Sequence, residues 1–131
     1  MADRKLIILV VLLIVLSLGH DIDHIFRGDI RWHLLPVLLL FAKDVFLGLG
    51  LCFYLRNKIG PLFWAVTAGL GAALGWLAHF SPFTDQTPQY IFRAYATPAA
   101  GVLAVALLAA LMLTLIVTAI YAKYLWARGS R

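Results

Sequence analysis

Two of the chain's four histidines, His20 and His24, stand one helical turn apart, so a helix through them sets both imidazoles on one face. Ser17 and Asp21 fall alongside at helical spacing, and Asp23 is interleaved with them. His33, His79, Asp29 and Asp85 supply further imidazoles and carboxylates. Nitrogen and oxygen ligands without a thiolate suit Zn²⁺, Ni²⁺, Mn²⁺, Cu²⁺ or non-haem Fe better than Cu⁺. Cys52 is the single cysteine and lies inside an apolar run. It excludes a disulfide framework and reads as a small buried apolar residue. Lys43 and Asp44 form a second polar group in the middle of another apolar run. Asp44 follows His33 by eleven residues, close to three turns, so one side of a helix carries both. Asp44 then reads as a relay group beneath the histidines, and the competing reading is that Lys43 and Asp44 satisfy each other or a partner subunit.

The elements that must hold these residues are membrane helices. At 63% apolar and 13% charged, the chain departs from the roughly 45–50% and 25% of soluble domains. The net charge of +5 does not point to nucleic acid, because Lys and Arg are confined to the ends of long apolar runs. The first run, Leu6 to Leu18, imitates a signal peptide. Crossing the hydrocarbon takes about 20 residues, which carries the helix on through His20 and His24 to Phe26. The expected fold class is an all-α integral membrane protein, a four-transmembrane-helix up-down bundle. Its helices are expected at about 6–26, 33–55, 62–80 and 98–126, with an outer loop at 81–97, and residues 1–131 form a single transmembrane domain. Arg4, Lys5, Arg56, Lys58, Lys123, Arg128 and Arg131 gather on one side and only Arg27, Arg31 and Arg93 on the other. That asymmetry makes both termini cytoplasmic. Gly71 and Gly75 form a close-packing GxxxG, and Phe80, Phe83, Tyr90, Phe92 and Tyr95 read as an interfacial aromatic belt.

In such a bundle the end of the first helix, the start of the second and the end of the third share the outer face. The expected metal site is His20, His24, His79 and Asp23, with Asp21, His33 and Asp85 as further ligands or supporting partners and with Lys43 and Asp44 as the relay. Ionisable groups at membrane depth are costly unless paired, solvated or bound to an ion. Their clustering therefore points to metal handling, by permeation or sensing, and no substrate pocket argues for an enzyme. The bland alternative is that these are solvated helix ends, with Asp23 and Arg27 making an ordinary i,i+4 pair. A haem b or quinone held by histidines of two helices is a further alternative, as is a non-catalytic accessory subunit of a larger membrane complex. The partners expected are the lipid bilayer and either further copies of the chain or a membrane complex.

The segments His20-x-x-Asp23-His24 and His79-Phe80-x-Pro82-x-Thr84-Asp85 resemble those of a loosely defined group of small bacterial four-helix membrane proteins. The resemblance spans nearly the whole chain. It implies that the two segments belong to one site, and it brings no activity with it; the expected location is a bacterial cytoplasmic membrane. A local stretch, Asp21-x-Asp23-His24-Ile25-x-x-x-Asp29, is similar to the signature helix of nickel/cobalt permeases. Leu18 stands here where that family has a histidine, and its members have more helices, so the similarity implies metal-ligand chemistry alone.

Overall fold

Asp3 starts the first helix: its backbone is extended and its carboxylate accepts from the Leu6 amide at 2.9 Å, an N-cap that lets α1 (Arg4–Phe26) begin two residues before the apolar run. The structure, a computed structural model, describes residues 2–28, 34–84 and 86–129. α2 (Leu34–Leu55) ends in a turn that places Asn57 at φ 54°, a conformation asparagine tolerates better than most residues. Pro61 opens α3 (Pro61–His79) and Pro98 opens α5 (Pro98–Gly129), both at the helix position where a missing N–H costs nothing. Between them the outer loop carries a short helix, α4 (Pro88–Arg93), begun by Pro88 and capped by the Thr87 hydroxyl, which accepts from the Tyr90 amide.

α5 is the spine. α1 and α3 both pack along it, α2 lies against α1, and α4 crosses the start of α5. Ile91 of α4 is buried with Ala104 and Leu108. A Cβ at Gly101 would come within 2.5 Å of the Phe92 carbonyl oxygen, so only glycine lets α4 sit this close. At one end of the bundle Leu6, Tyr54, Trp64 and Ala122 bury one another. These residues come from the start of α1, the end of α2, the start of α3 and the end of α5, so the four long helices alternate in direction. Asp3 ties that end shut. Its amide donates to the Tyr54 hydroxyl at 3.0 Å and its carboxylate accepts from Tyr121 at 3.2 Å.

The distribution of polarity is inverted relative to a soluble bundle. Leu74, Leu103 and Ile120 are each about two-thirds exposed, while Ser17, His20, Asp21, Asp44 and Thr118 are buried. A continuous apolar exterior on this scale suits contact with lipid, not water. Among the described residues α1, α3 and α5 are long and apolar enough to cross a membrane. Gly71 and Gly75 face Leu115 and Met112 of α5, whose side chains would lie within 3 Å of an added Cβ. The GxxxG therefore serves packing inside the bundle. Cys52, expected to be buried, is exposed: it lies on a stretch of α2 whose neighbour Phe53 is also exposed, and among the described residues no other helix covers it.

Candidate metal centre

α1 and α3 point the same way along α5, so their last turns lie side by side. This brings His20 and His24 against His79, fifty-nine residues from His20 in sequence. One ring nitrogen from each of the three can be chosen so that all lie within 4.8 Å of one another. His20 and His79 are buried and His24 is half-buried. The Nε2 atoms of His20 and His79 are 3.2 Å apart. Two nitrogens bound at 2.0–2.1 Å to a tetrahedral ion are separated by about 3.3 Å, so this pair already has the spacing of one edge of such a site. The widest edge would have to shorten by at most about 1.5 Å to match the others.

The hydrogen bonds fix where lone pairs point. His79 Nδ1–H donates to the Gln86 backbone carbonyl at 2.9 Å, so in the neutral ring its Nε2 carries the lone pair. A ligating histidine commonly has its other nitrogen anchored in this way. Without an ion, His20 Nε2–H is the donor to that lone pair, and His20 Nδ1, fully buried, has no hydrogen-bond partner among the described residues. His24 differs. Arg27 can only donate, and its Nη2 lies 3.1 Å from His24 Nδ1, so Nδ1 accepts and neutral His24 holds its proton on Nε2. Coordination through either nitrogen of His24 requires Arg27 to let go: through Nδ1 the ion takes the lone pair, and through Nε2 the proton must move to the atom facing the guanidinium.

Asp23 is buried but turned away from the three rings. Its Oδ2 pairs with Arg27 Nε at 2.8 Å, and its Oδ1 accepts from the Tyr95 hydroxyl. Arg27 also donates to the Gln86 side chain at 3.2 Å, and its own side chain is fully covered. Asp23 thus holds Arg27 and the segment after α4 in place, and it is not among the grouped ligand atoms. Asp21 faces the other way, toward α2. Lys43 Nζ donates to Asp21 Oδ2, to Ser17 Oγ at 2.7 Å and to Asp44 Oδ1 at 3.3 Å, and Ser17 donates to Asp44 at 2.6 Å. Lys43 and Asp44 do meet, although adjacent helical residues diverge, because the long lysine side chain bends back while it reaches Asp21. One oxygen of Asp21 and one of Asp44 are buried without a partner among the described residues.

His33, Asp29 and Asp85 lie outside the described residues. Sequence reasoning missed three participants: Arg27 as the partner of His24, Gln86 as the anchor of His79, and Tyr95 as the donor to Asp23. The i,i+3 spacing of His24 and Arg27 was a usable signal. Tyr95 read as part of the aromatic belt, and nothing local marks either Tyr95 or Gln86.

The three histidines also close one end of a cavity of about 500 Å³. Ser17, Asp21 and Lys43 line it beside them, and the rest of the wall is apolar, from Leu13, Phe46, Leu74 and Leu111 among others. α2 and α3 touch near their connecting turn, where the Phe46 and Phe63 rings are 5.6 Å apart, and the cavity occupies the space between them beyond it. Comparison with protein-family models, with curated proteins and with solved structures gives no match to this chain.

Proposed function

We propose that the chain is a four-span membrane protein that binds one divalent transition metal through His20, His24 and His79, for metal permeation or sensing at the outer side of a bacterial cytoplasmic membrane. The observation that carries this reading is the convergence of three imidazole nitrogens within 4.8 Å from two helices that are remote in sequence. Polar residues that merely capped helix ends would have no reason to share one point. Three neutral nitrogens with a fourth position open toward the cavity favour Zn²⁺, Ni²⁺, Cu²⁺ or Fe²⁺ over harder ions.

The network of Ser17, Asp21, Lys43 and Asp44 continues from the histidines toward the bundle interior, and it is the natural path for a charge that must travel further. The termini are cytoplasmic in this reading, by the Lys/Arg asymmetry.

Elemental mass spectrometry of the purified protein tests the site. About one ion per chain is expected in the wild type, with loss of most of it in both His24→Ala and His79→Ala, since removing one of three ligands typically leaves a site too weak to survive purification. Stoichiometric metal retained in both variants would end the shared-site reading.

A further inference from the structure

We infer that the cavity between α2 and α3 is the binding site for one long-chain fatty carboxylate, its head on the histidine-bound metal and its tail along α3; this rests on the metal reading above. The first argument is shape. The cavity wall runs along α3 from Thr67 to His79, about 18 Å at 1.5 Å per residue. A methylene fills slightly less than the ~30 Å³ share of a water molecule, so about 500 Å³ holds one chain of roughly seventeen heavy atoms, close to the size of hexadecanoate. The two tails of a bilayer phospholipid do not fit.

The second argument is polarity. Along α3 and α5 the wall includes Leu70, Leu74, Leu108, Leu111 and Leu115, and apart from Thr67 at the far end the polar lining, Ser17, Asp21 and Lys43, lies on the side of the histidines. Leu70 and Leu74 are also exposed, so the cavity is open sideways to the apolar exterior, the direction from which an amphiphile dissolved in lipid would arrive. Pockets of this kind, mostly apolar with a few convergent polar groups, are the usual form of a small-molecule site.

The third argument is formal charge. Among the described residues Arg27 pairs with Asp23, while Lys43 faces the two carboxylates of Asp21 and Asp44, a formal balance of one negative charge for these five groups. A divalent ion on three neutral histidines turns this into one positive charge. A single carboxylate in the fourth position restores neutrality, which a low-dielectric site favours. A neutral alcohol of the same length leaves the charge uncompensated.

The experiment is a binding titration of hexadecanoate onto the zinc-loaded protein in a sugar-headgroup detergent, with the zinc content of every sample measured. Expected are one molecule per chain, at least tenfold weaker binding of hexadecan-1-ol, no displacement by a two-tailed phosphatidylglycerol, and loss of hexadecanoate when a chelator strips the zinc. Thr67→Phe blocks the far end of the cavity without touching the histidines. It should leave zinc unchanged and move the preferred ligand from hexadecanoate to dodecanoate, since the last methylenes of the longer chain no longer find room. Zinc-loaded protein that binds acid and alcohol alike, or prefers phosphatidylglycerol, overturns the assignment and leaves the metal reading standing. An unchanged chain-length preference in a folded Thr67→Phe also overturns it. Failure to load zinc overturns the metal reading itself, and this inference with it.

Discussion

Arg27→Gln should tighten metal binding, although it removes a buried ion pair beside the site. The guanidinium donates to His24 Nδ1 at 3.1 Å from a side chain fully shielded from solvent, and this bond must be given up before His24 can coordinate. A hydrogen bond to a charged group contributes about 1.5–3 kcal/mol net. Since each 1.4 kcal/mol is a factor of ten, releasing that bond in advance should lower the Kd for Zn²⁺ by roughly 10- to 100-fold. Loss of a positive charge next to a divalent ion acts in the same direction. Against this, Asp23 loses its cationic partner but keeps the Tyr95 hydroxyl. The Gln86 carbonyl that anchors His79 is a backbone group and stays. Glutamine retains a donor for Asp23, so the variant should fold, with a melting temperature a few degrees lower. Arg27→Lys, which keeps the charge but not the fork, should fall between the two. The assay is competition with a chromogenic zinc chelator in detergent, beside a thermal melt. Unchanged or weaker zinc affinity in a folded Arg27→Gln would refute the argument that Arg27 holds His24 back from the ion.

Two further outcomes are expected. Asp44→Asn should fold and keep its metal, because Asp44 touches Ser17 and Lys43 and none of the histidines, yet it should abolish metal- or proton-linked flux in reconstituted vesicles; unchanged flux, with lost co-purification of a partner, would sink the relay in favour of a docking role. A reporter fused after Arg131 should read as cytoplasmic and one inserted between Thr84 and Gln89 as external, and opposite readings would turn the site toward the cytoplasm and remove any role in uptake from outside.

Much of the architecture is legible because a membrane helix is a length and a composition. The alternation of long apolar runs with short polar turns marks the long helices to within a few residues. Thr87-Pro88 is a recognisable cap and N1 pair, but a helix of six residues has too few turns to show a period, so α4 is hidden inside a loop. The shared face of His20 and His24 follows from spacing alone. Their meeting with His79 follows only once helix direction is assumed, and its geometry is settled by how α1 and α3 each sit on α5. What local sequence does not contain is which carboxylate does what. Asp21 and Asp23 flank the same turn, two residues apart, and so point to different neighbours: one to Lys43 on α2, the other to Arg27 and Tyr95. The Asp23–Arg27 pair is legible from its i,i+4 spacing, but the Asp21–Lys43 pair is not, and Tyr95 reaches Asp23 only through the seating of α4 on Gly101.

The same packing explains why the two approaches to the histidines differ. In a bilayer, apolar burial does not drive helices together, so the bundle depends on close contacts and polar clasps. Asp3, Tyr54 and Tyr121 clasp one end, and Asp23, Arg27, Gln86 and Tyr95 clasp the other. Between the clasps α3 and α5 fit closely through Gly71 and Gly75, while α2 is held by α1 and stands off α3 beyond the Phe46–Phe63 contact. The cover over the end of the site is thus polar and breakable one hydrogen bond at a time, and the opening at its side is apolar. If the three histidines hold an ion as proposed, the described polar contacts of Arg27 and Gln86 would lie on its approach, and a ligand with a long tail would enter through the apolar opening between α2 and α3. In the proposed reading a substitution at Arg27 would change how tightly and how fast an ion is taken up, and one along the α3 wall would change only the ligand held with it.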